Sequence, residues 1–387
     1  MFAGGGFPGD TDGQWRKGRA WHAAQGFAVL TGDQKERKGF SVSNTGETMR
    51  AVRYLEPRQD FQLRAVAIPQ PGAGQVRVRV AACGMCRTEL HLRDGLLDLG
   101  ARDFTVGHEI AGTIESVGTG VDPQRVGDRV LVYYYEGCGD CRYCRSGDEQ
   151  LCPRPKAQPG FSTDGGYADY LVVRAQNCVN VPDSVALTHI APMGCAGSTA
   201  VHAGKMARIV PGEYVVIHGT GGVGLALLQY AKAAGAKVIA VDIGAEKVKL
   251  ARKLGADAAI DAGEESDVPA RVAAITGEGA DVVFELVGTT LTMQRAAAML
   301  RRRGRLVMVG YTSESFHIHP VELIVRELSV MGSVGSTLQD VHDVVDLVAS
   351  GVITPVIDRI IPLAAFAGGL EAVEGGSILG RVVLTMA

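Results

Sequence analysis

Between residues 49 and 195 apolar and polar positions alternate in short runs. Val76, Val78 and Val80 alternate with Arg77 and Arg79, the period-2 pattern of a strand with one buried face. Stretches 110–117 and 129–134 read the same way, and Met49 opens a similar pattern through Val52 and Tyr54. Turn residues punctuate them at Pro71-Gly72, Gly118 to Gly120 and Gly127-Asp128, where glycine and proline favour reversal of the chain. This part is predicted to be β-rich with few helices.

From about Gly197 the rhythm changes. Apolar runs at 214–217, 237–241, 281–284, 305–309 and 329–331, with a weaker one at 258–260, alternate with helical stretches at 222–234, 246–254 and 291–303. Gly255 and Gly304 follow the last two, where glycine supplies a left-handed cap. Strand–helix–strand alternation predicts a parallel, doubly wound sheet. Residues 337–387 return to mixed character, with a helix at 338–349 and a closing strand at 381–385. They are expected to rejoin the first domain, which makes the α/β domain an insert. The predicted division is a flexible extension over 1–48, a first domain at 49–195, the inserted domain at 196–336, and the remainder of the first domain at 337–387. Residues 1–48 hold scattered charges and no sustained period. Such a stretch buries little apolar surface to offset ordering entropy; a helix over 21–30 is the competing reading.

The 387 residues suffice for two cores. A hydrophobic content of 46% and a net charge of -3 leave no broad basic field for nucleic acid. No apolar run has membrane-spanning length and no signal segment opens the chain. The expected compartment is the cytosol, where cysteines more often bind metal or react than form bridges.

Cys138, Cys141, Cys144 and Cys152 stand close together, with Gly139 and Gly147 between them. The repeated Cys-x-x-Cys spacing suits one tetrahedral metal ion, and the glycines permit tight turns around it. Four thiolates close the coordination sphere, so such a site folds a lobe and does no chemistry. Disulfides or unrelated buried thiols are the competing reading.

Gly219-Thr-Gly-Gly-Val-Gly224 fits G-x-G-x-x-G between a strand and a helix, the context a dinucleotide turn requires. Gly219 permits the turn, Gly221 lets backbone approach a pyrophosphate, and Gly224 lets helix pack on strand; Gly222 and Val223 complete the loop. Asp242 ends the next strand. Its carboxylate can accept from both ribose hydroxyls and would repel a 2'-phosphate, favouring NAD over NADP. Lys247 could touch the same ribose or be an exposed helix lysine.

Three further segments are Cys86-Arg-Thr-Glu-Leu-His91, Gly107-His-Glu109 and Gly194-Cys-Ala-Gly-Ser-Thr199. With the four-cysteine stretch and the glycine-rich turn, they resemble the zinc-dependent medium-chain alcohol dehydrogenases from about Met49 onward. The resemblance implies an α/β fold: a Rossmann doubly wound domain plus a β-rich, GroES-like catalytic domain with a structural zinc lobe. It implies Cys86, His108 and Cys195 as catalytic zinc ligands, with the fourth position open. Cys83 also forms a Cys-x-x-Cys with Cys86, but Arg87-Thr88-Glu89 matches the family only in the Cys86 register. Cys83 and Cys178 are then small buried residues. Hydride leaves an alkoxide far more readily than an alcohol, so the hydroxyl must be acidified and its proton needs an outlet. The resemblance gives Thr88 and His91 that relay, and Glu109 a place behind the metal. It makes Arg87 and Arg381 pyrophosphate contacts and packs Thr199 against the nicotinamide. Glu89 stands where the family usually has aspartate orienting the histidine ligand. By position, Leu97 and Tyr134 line the substrate pocket or belong to the core.

The implied activity is NAD-dependent oxidation of primary or secondary alcohols, with two zinc ions per chain; the corresponding ligand in related polyol dehydrogenases is commonly Glu rather than Cys195. The short stretch from Cys152 to Cys195 resembles tetrameric members, so a homotetramer is expected, with a homodimer as the alternative. Two competing functions are a sister enzyme for thiol-adduct aldehydes or larger aromatic alcohols, and a non-catalytic zinc and dinucleotide binder.

Overall fold

A computed structural model describes residues 46–386 of the chain. The extension read at 1–48 and its competing helix at 21–30 lie outside the described residues, except for 46–48. The first strand opens at Thr48, one residue before the expected Met49.

The first part contains β1 (Thr48–Tyr54), β2 (Gln62–Ala67), β3 (Gln75–Met85), helix α1 (Arg87–Arg93), β4 (Phe104–Thr105), β5 (Glu109–Val117) and β6 (Arg129–Val132). Two short helices, α2 (Arg142–Arg145) and α3 (Leu187–Ile190), flank β7 (Tyr170–Arg174) and β8 (Cys178–Asn180). The alternation in β3 is realised: Val76, Val78 and Val80 are buried while Arg77 and Arg79 face outward or lie half-buried. Arg77 reaches Glu115 on the neighbouring strand at 2.6 Å.

Helix α4 (Ala196–Ala207) leads into the second part. There β9 (Tyr214–His218), α5 (Gly222–Ala233), β10 (Lys237–Asp242), α6 (Ala245–Lys253), β11 (Ala258–Asp261), α7 (Val268–Thr276) and β12 (Ala280–Glu285) alternate. They continue through α8 (Thr290–Ala298), β13 (Leu300–Met308), α9 (Pro320–Arg326) and β14 (Ser329–Gly332). The six strands are ordered β11-β10-β9-β12-β13-β14, and every pairing is parallel. This is the doubly wound order, whose crevice opens at the carboxyl end of the first strand. Both sheet faces are covered: Val215 and Ile217 pack on one side, Val216 on the other. That explains why these strands read as continuous apolar runs rather than alternations.

The chain then forms α10 (Leu338–Ala349), β15 (Ile357–Pro362), α11 (Phe366–Glu374) and β16 (Arg381–Thr385). β16 pairs antiparallel with β3, extending a seven-stranded sheet ordered β15-β16-β3-β5-β6-β8, with β7 also pairing on β3. The final strand therefore lies in the sheet of β3, β5 and β6.

One helix differs from expectation. The stretch 291–303 was expected to be helical to Arg303, but α8 ends at Ala298 and β13 begins at Leu300. The pairing slips between Ala280↔Leu300 and Val282↔Arg305, so the intervening arginines bulge. Ion pairs hold the bulge: Arg301 Nε donates to Asp281 Oδ1 at 2.6 Å and Arg303 Nε to Glu327 Oε2 at 2.6 Å. Helix α7, α9 and α11 were not anticipated. Among the described residues no helix is long and apolar enough to cross a membrane.

Candidate active site

Strand β3 ends at Met85 and delivers Cys86 to the start of α1. The Cys86 amide donates to Glu89 Oε2 at 2.8 Å, so one oxygen of a fully buried carboxylate caps the helix. His108 immediately precedes β5, and Cys195 follows a turn of 3-10 helix and precedes α4. Three distant segments thus converge: ligand atoms of Cys86, His108, Glu109 and Cys195 all lie within 4.8 Å of one another, and all four residues are buried. Cys83, by contrast, sits inside β3 in the hydrophobic core, as Cys178 does in β8. The Cys86 register is the one that reaches the cluster.

The charges around this cluster favour a cation. Glu89 Oε1 lies 2.8 Å from His108 Nδ1, although off the hydrogen-bond direction. His108 Nε2 is buried without a hydrogen-bond partner. Burial opposes charge on the imidazole, but Glu89 and Cys86 outweigh it and raise His108 to about 10. A negative field that holds a proton at Nε2 would equally hold a metal ion there, and a carboxylate behind Nδ1 fixes the ring for that purpose. The neighbouring Cys195 thiol lowers the Cys86 pKa well below the ordinary thiol range, with Arg381 assisting. Two sulfurs and an imidazole form a set suited to zinc.

Glu109 brings a carboxylate into this cluster. Burial pushes its carboxyl up to about 8, with Arg381 acting in the opposite direction. Arg381 Nε donates to Glu109 Oε1 at 3.2 Å, and the guanidinium also lies 3.7 Å from Cys86 Sγ. The same guanidinium packs on Gly222, where a Cβ would come within 2.6 Å of Arg381 Cζ. Arg381 therefore bridges the cysteine–histidine cluster and the glycine-rich turn.

That turn has the geometry a dinucleotide needs. Gly219 adopts φ +108°, in the left-handed region that favours glycine. A Cβ on Gly224 would collide with the Gly219 carbonyl oxygen at 1.9 Å, so the helix approaches the strand only without one. A Cβ on Gly221 would meet nothing within 4 Å; it would instead fill open space in front of the α5 N-terminus, where a phosphate fits. Asp242 Oδ2 accepts from the Thr220 hydroxyl at 2.9 Å, and Oδ1 from the Ile243 amide at 2.7 Å. Lys247 Nζ lies 3.3 Å from the same Oδ1.

The four cysteines form a second cluster, again with sulfurs within 4.8 Å. Individual separations are 3.5 Å for Cys141–Cys144 and 3.9 Å for Cys138–Cys144 and Cys141–Cys152. Four sulfurs around zinc stand about 3.8 Å apart, and a disulfide would bring two within about 2.05 Å. Backbone amides of Cys138, Cys141, Cys144 and Arg154 point at the sulfurs.

Known proteins are similar to this chain. Residues 72–183 match the alcohol dehydrogenase GroES-like domain, and residues 222–350 match the zinc-binding dehydrogenase domain. An alcohol dehydrogenase of Geobacillus stearothermophilus is 36% identical over 340 residues, covering 87% of this chain and 99% of its own. The chain belongs to the zinc-dependent medium-chain alcohol dehydrogenase family. An NAD-dependent alcohol dehydrogenase of Sulfurisphaera tokodaii is 32% identical, covering 87% of this chain and 99% of its own. The solved structure of the Aeropyrum pernix alcohol dehydrogenase is 34% identical with a TM-score of 0.82, covering 87% of this chain and 99% of its own.

The other residues implicated by the family resemblance lie around these clusters. Thr88 Oγ1 is 3.4 Å from Cys86 Sγ. His91, one turn along α1, has its Nδ1 buried without a partner, and burial lowers its pKa. Arg87 reaches only the Glu374 carbonyl, at 3.5 Å. Thr199 is buried one helical turn after Cys195, whose carbonyl accepts its amide at 2.8 Å. Tyr134 lies in the site: its hydroxyl donates to Cys195 Sγ at 3.7 Å. Leu97 belongs to the core of the first lobe. Sequence reasoning missed Phe161, whose ring lies 4.5 Å from His108. It also missed Tyr311, packed on His91. Neither lies in a motif, and each arrives from a loop far along the chain.

Proposed function

We propose that the protein is an NAD-dependent alcohol dehydrogenase that reversibly oxidises primary or secondary alcohols to aldehydes or ketones, with two zinc ions per chain. The observation that carries this reading is the buried convergence of Cys86, His108 and Cys195, with an unpartnered imidazole nitrogen among them. When bound, zinc acidifies the alcohol hydroxyl and NAD accepts hydride. The chain's own residues do the rest. Cys86, His108 and Cys195 hold the metal, Glu89 orients His108, and Glu109 with Arg381 sets the charge behind it. Thr88 Oγ1 would accept the hydroxyl proton while giving up its own, which would pass through the nicotinamide ribose to His91 and from there to solvent. Gly219, Gly221, Gly222, Val223 and Gly224 cradle the pyrophosphate, with Arg87 and Arg381 contributing charge. Asp242 and Lys247 meet the adenosine ribose, and Thr199 packs on the nicotinamide. Cys138, Cys141, Cys144 and Cys152 hold the second, structural zinc.

Metal analysis and a substrate panel of ethanol, benzyl alcohol and formaldehyde plus thiol test this together. The expected result is about two zincs per chain and NAD reduction by a simple alcohol. A single, lobe-held zinc, or no NAD reduction with any member of the panel, would refute it. One observation bears on the larger aromatic alcohols as substrates: Tyr134 and Phe161 pack around His108 at 5.1 and 4.5 Å, which puts two aromatic rings beside the ligand cluster. A benzyl alcohol KM well below that of ethanol would support that choice.

A homotetramer remains the assembly we favour, with a homodimer as the smaller alternative. Val321, Ile324 and Val325 are exposed on α9, and Val330 is exposed on β14 at the edge of the parallel sheet. An apolar helix face beside an unpaired strand is a surface suited to a second copy. A monomeric mass by light scattering would overturn this assembly.

A further inference from the structure

We infer that Tyr311 is a positioning residue for the proton relay: its ring, carried by the nucleotide-binding lobe, packs on His91 of the other lobe and fixes the imidazole. This rests on the reading of Thr88 and His91 as the proton route. The two rings have centroids 4.7 Å apart at an interplanar angle of 55°. His91 needs such support. Its Nδ1 is buried with no hydrogen-bond partner among the described residues, so packing must hold the ring at the angle that a proton hand-over requires.

The platform beneath Tyr311 is firmly held. Val309 and Gly310 donate their amides to the Glu285 carbonyl at 2.9 and 3.0 Å. The Thr312 hydroxyl donates to the Gly288 carbonyl at 2.7 Å. Gly288, at φ +85°, touches the Tyr311 backbone so closely that a Cβ would lie 2.5 Å from Tyr311 Cα. The Glu285 carboxylate in turn accepts the amides of Val287 and Gly288 at 2.9–3.1 Å. The loop after β13 is thereby pinned to the loop after β12. One face of the Tyr311 ring covers His91 while 39% of the residue stays exposed. Because the two rings belong to different lobes, the contact exists only while the lobes are together. It ties the proton outlet to the position of the nucleotide-binding domain.

The first test needs neither metal nor cofactor turnover. His91 in the purified protein is modified with diethyl pyrocarbonate, and the rate is read at its peptide by mass spectrometry. Tyr311→Ala is expected to raise that rate several-fold, and Tyr311→Phe, which keeps the ring, to restore it. An unchanged rate in Tyr311→Ala overturns the inference. The second test is kinetic. At saturating NAD and alcohol, kcat should fall roughly ten-fold in Tyr311→Ala, the scale of one lost aromatic contact, and be rescued in Tyr311→Phe. In a His91→Gln background the same change should have no further effect. Fully additive losses, or Tyr311→Phe as impaired as Tyr311→Ala, overturn the ring contact. Full activity in His91→Gln alone would instead sink the relay reading, while the modification rate still reports whether Tyr311 covers His91.

Discussion

The four cysteines at 138–152 and the trio Cys86, His108 and Cys195 both gather ligand atoms within 4.8 Å, yet their surroundings differ. The first cluster is drawn from one short stretch, is half-buried at three of its four positions, and is fastened by its own backbone amides. The second is drawn from three segments, is fully enclosed, and leans on carboxylates outside the ligand set. A site of the first kind needs only a loop with the right spacing. A site of the second kind needs the whole lobe to be folded before its ligands meet. Under the proposed function the first cluster serves stability and the second serves chemistry.

The largest separation of the two should come from Cys195→Ser. Alcohol oxidation is expected to fall at least about a thousand-fold, while NADH binding stays measurable by fluorescence. Full retained turnover would remove Cys195 from the ligand set. Cys141→Ser should act differently, lowering the melting temperature rather than removing specific chemistry. An unaltered melting temperature would count against a structural ion there. Glu89→Gln probes the support that only the enclosed site possesses. Loss of an outer carboxylate typically weakens metal binding roughly 10- to 100-fold, and competition with a zinc chelator should show this for one of two zincs. Equal affinity in the variant would deny Glu89 its orienting role. The smallest effect is expected for Asp242→Gly, which should relax the preference for NAD over NADP by about ten-fold and leave zinc content intact. Unchanged discrimination would exclude Asp242 from ribose recognition.

Much of this contrast was legible in the sequence, and the reasons are local. The four cysteines and the glycine-rich turn each occupy one short window, so spacing alone exposes them. Helix α10 and β16 were expected over 338–349 and 381–385, and the structure has them at those positions, because apolar periodicity and the surrounding turns agree there. The helix expected through Arg303 failed because the chain pairs with β12 from Leu300 onward and bulges at the arginines, Arg301 meeting Asp281 on β12 and Arg303 meeting Glu327 at the end of α9, a tertiary preference that periodicity does not carry. Cys86, His108 and Cys195 were assigned through resemblance to a family, since no spacing relates three distant segments. Tyr311 and Phe161 left no signal at all. An aromatic residue in a loop looks the same whether it covers a histidine or meets solvent.

Arg381 has a consequence for the newborn chain. It sits on the strand that completes the first sheet, yet the entire nucleotide-binding lobe is encoded between it and Cys195. During synthesis Cys86, His108, Glu109 and Cys195 leave the ribosome long before the guanidinium that faces Glu109. The older lobe must wait, its acidic interior lacking that countercharge, while the younger one is translated in full.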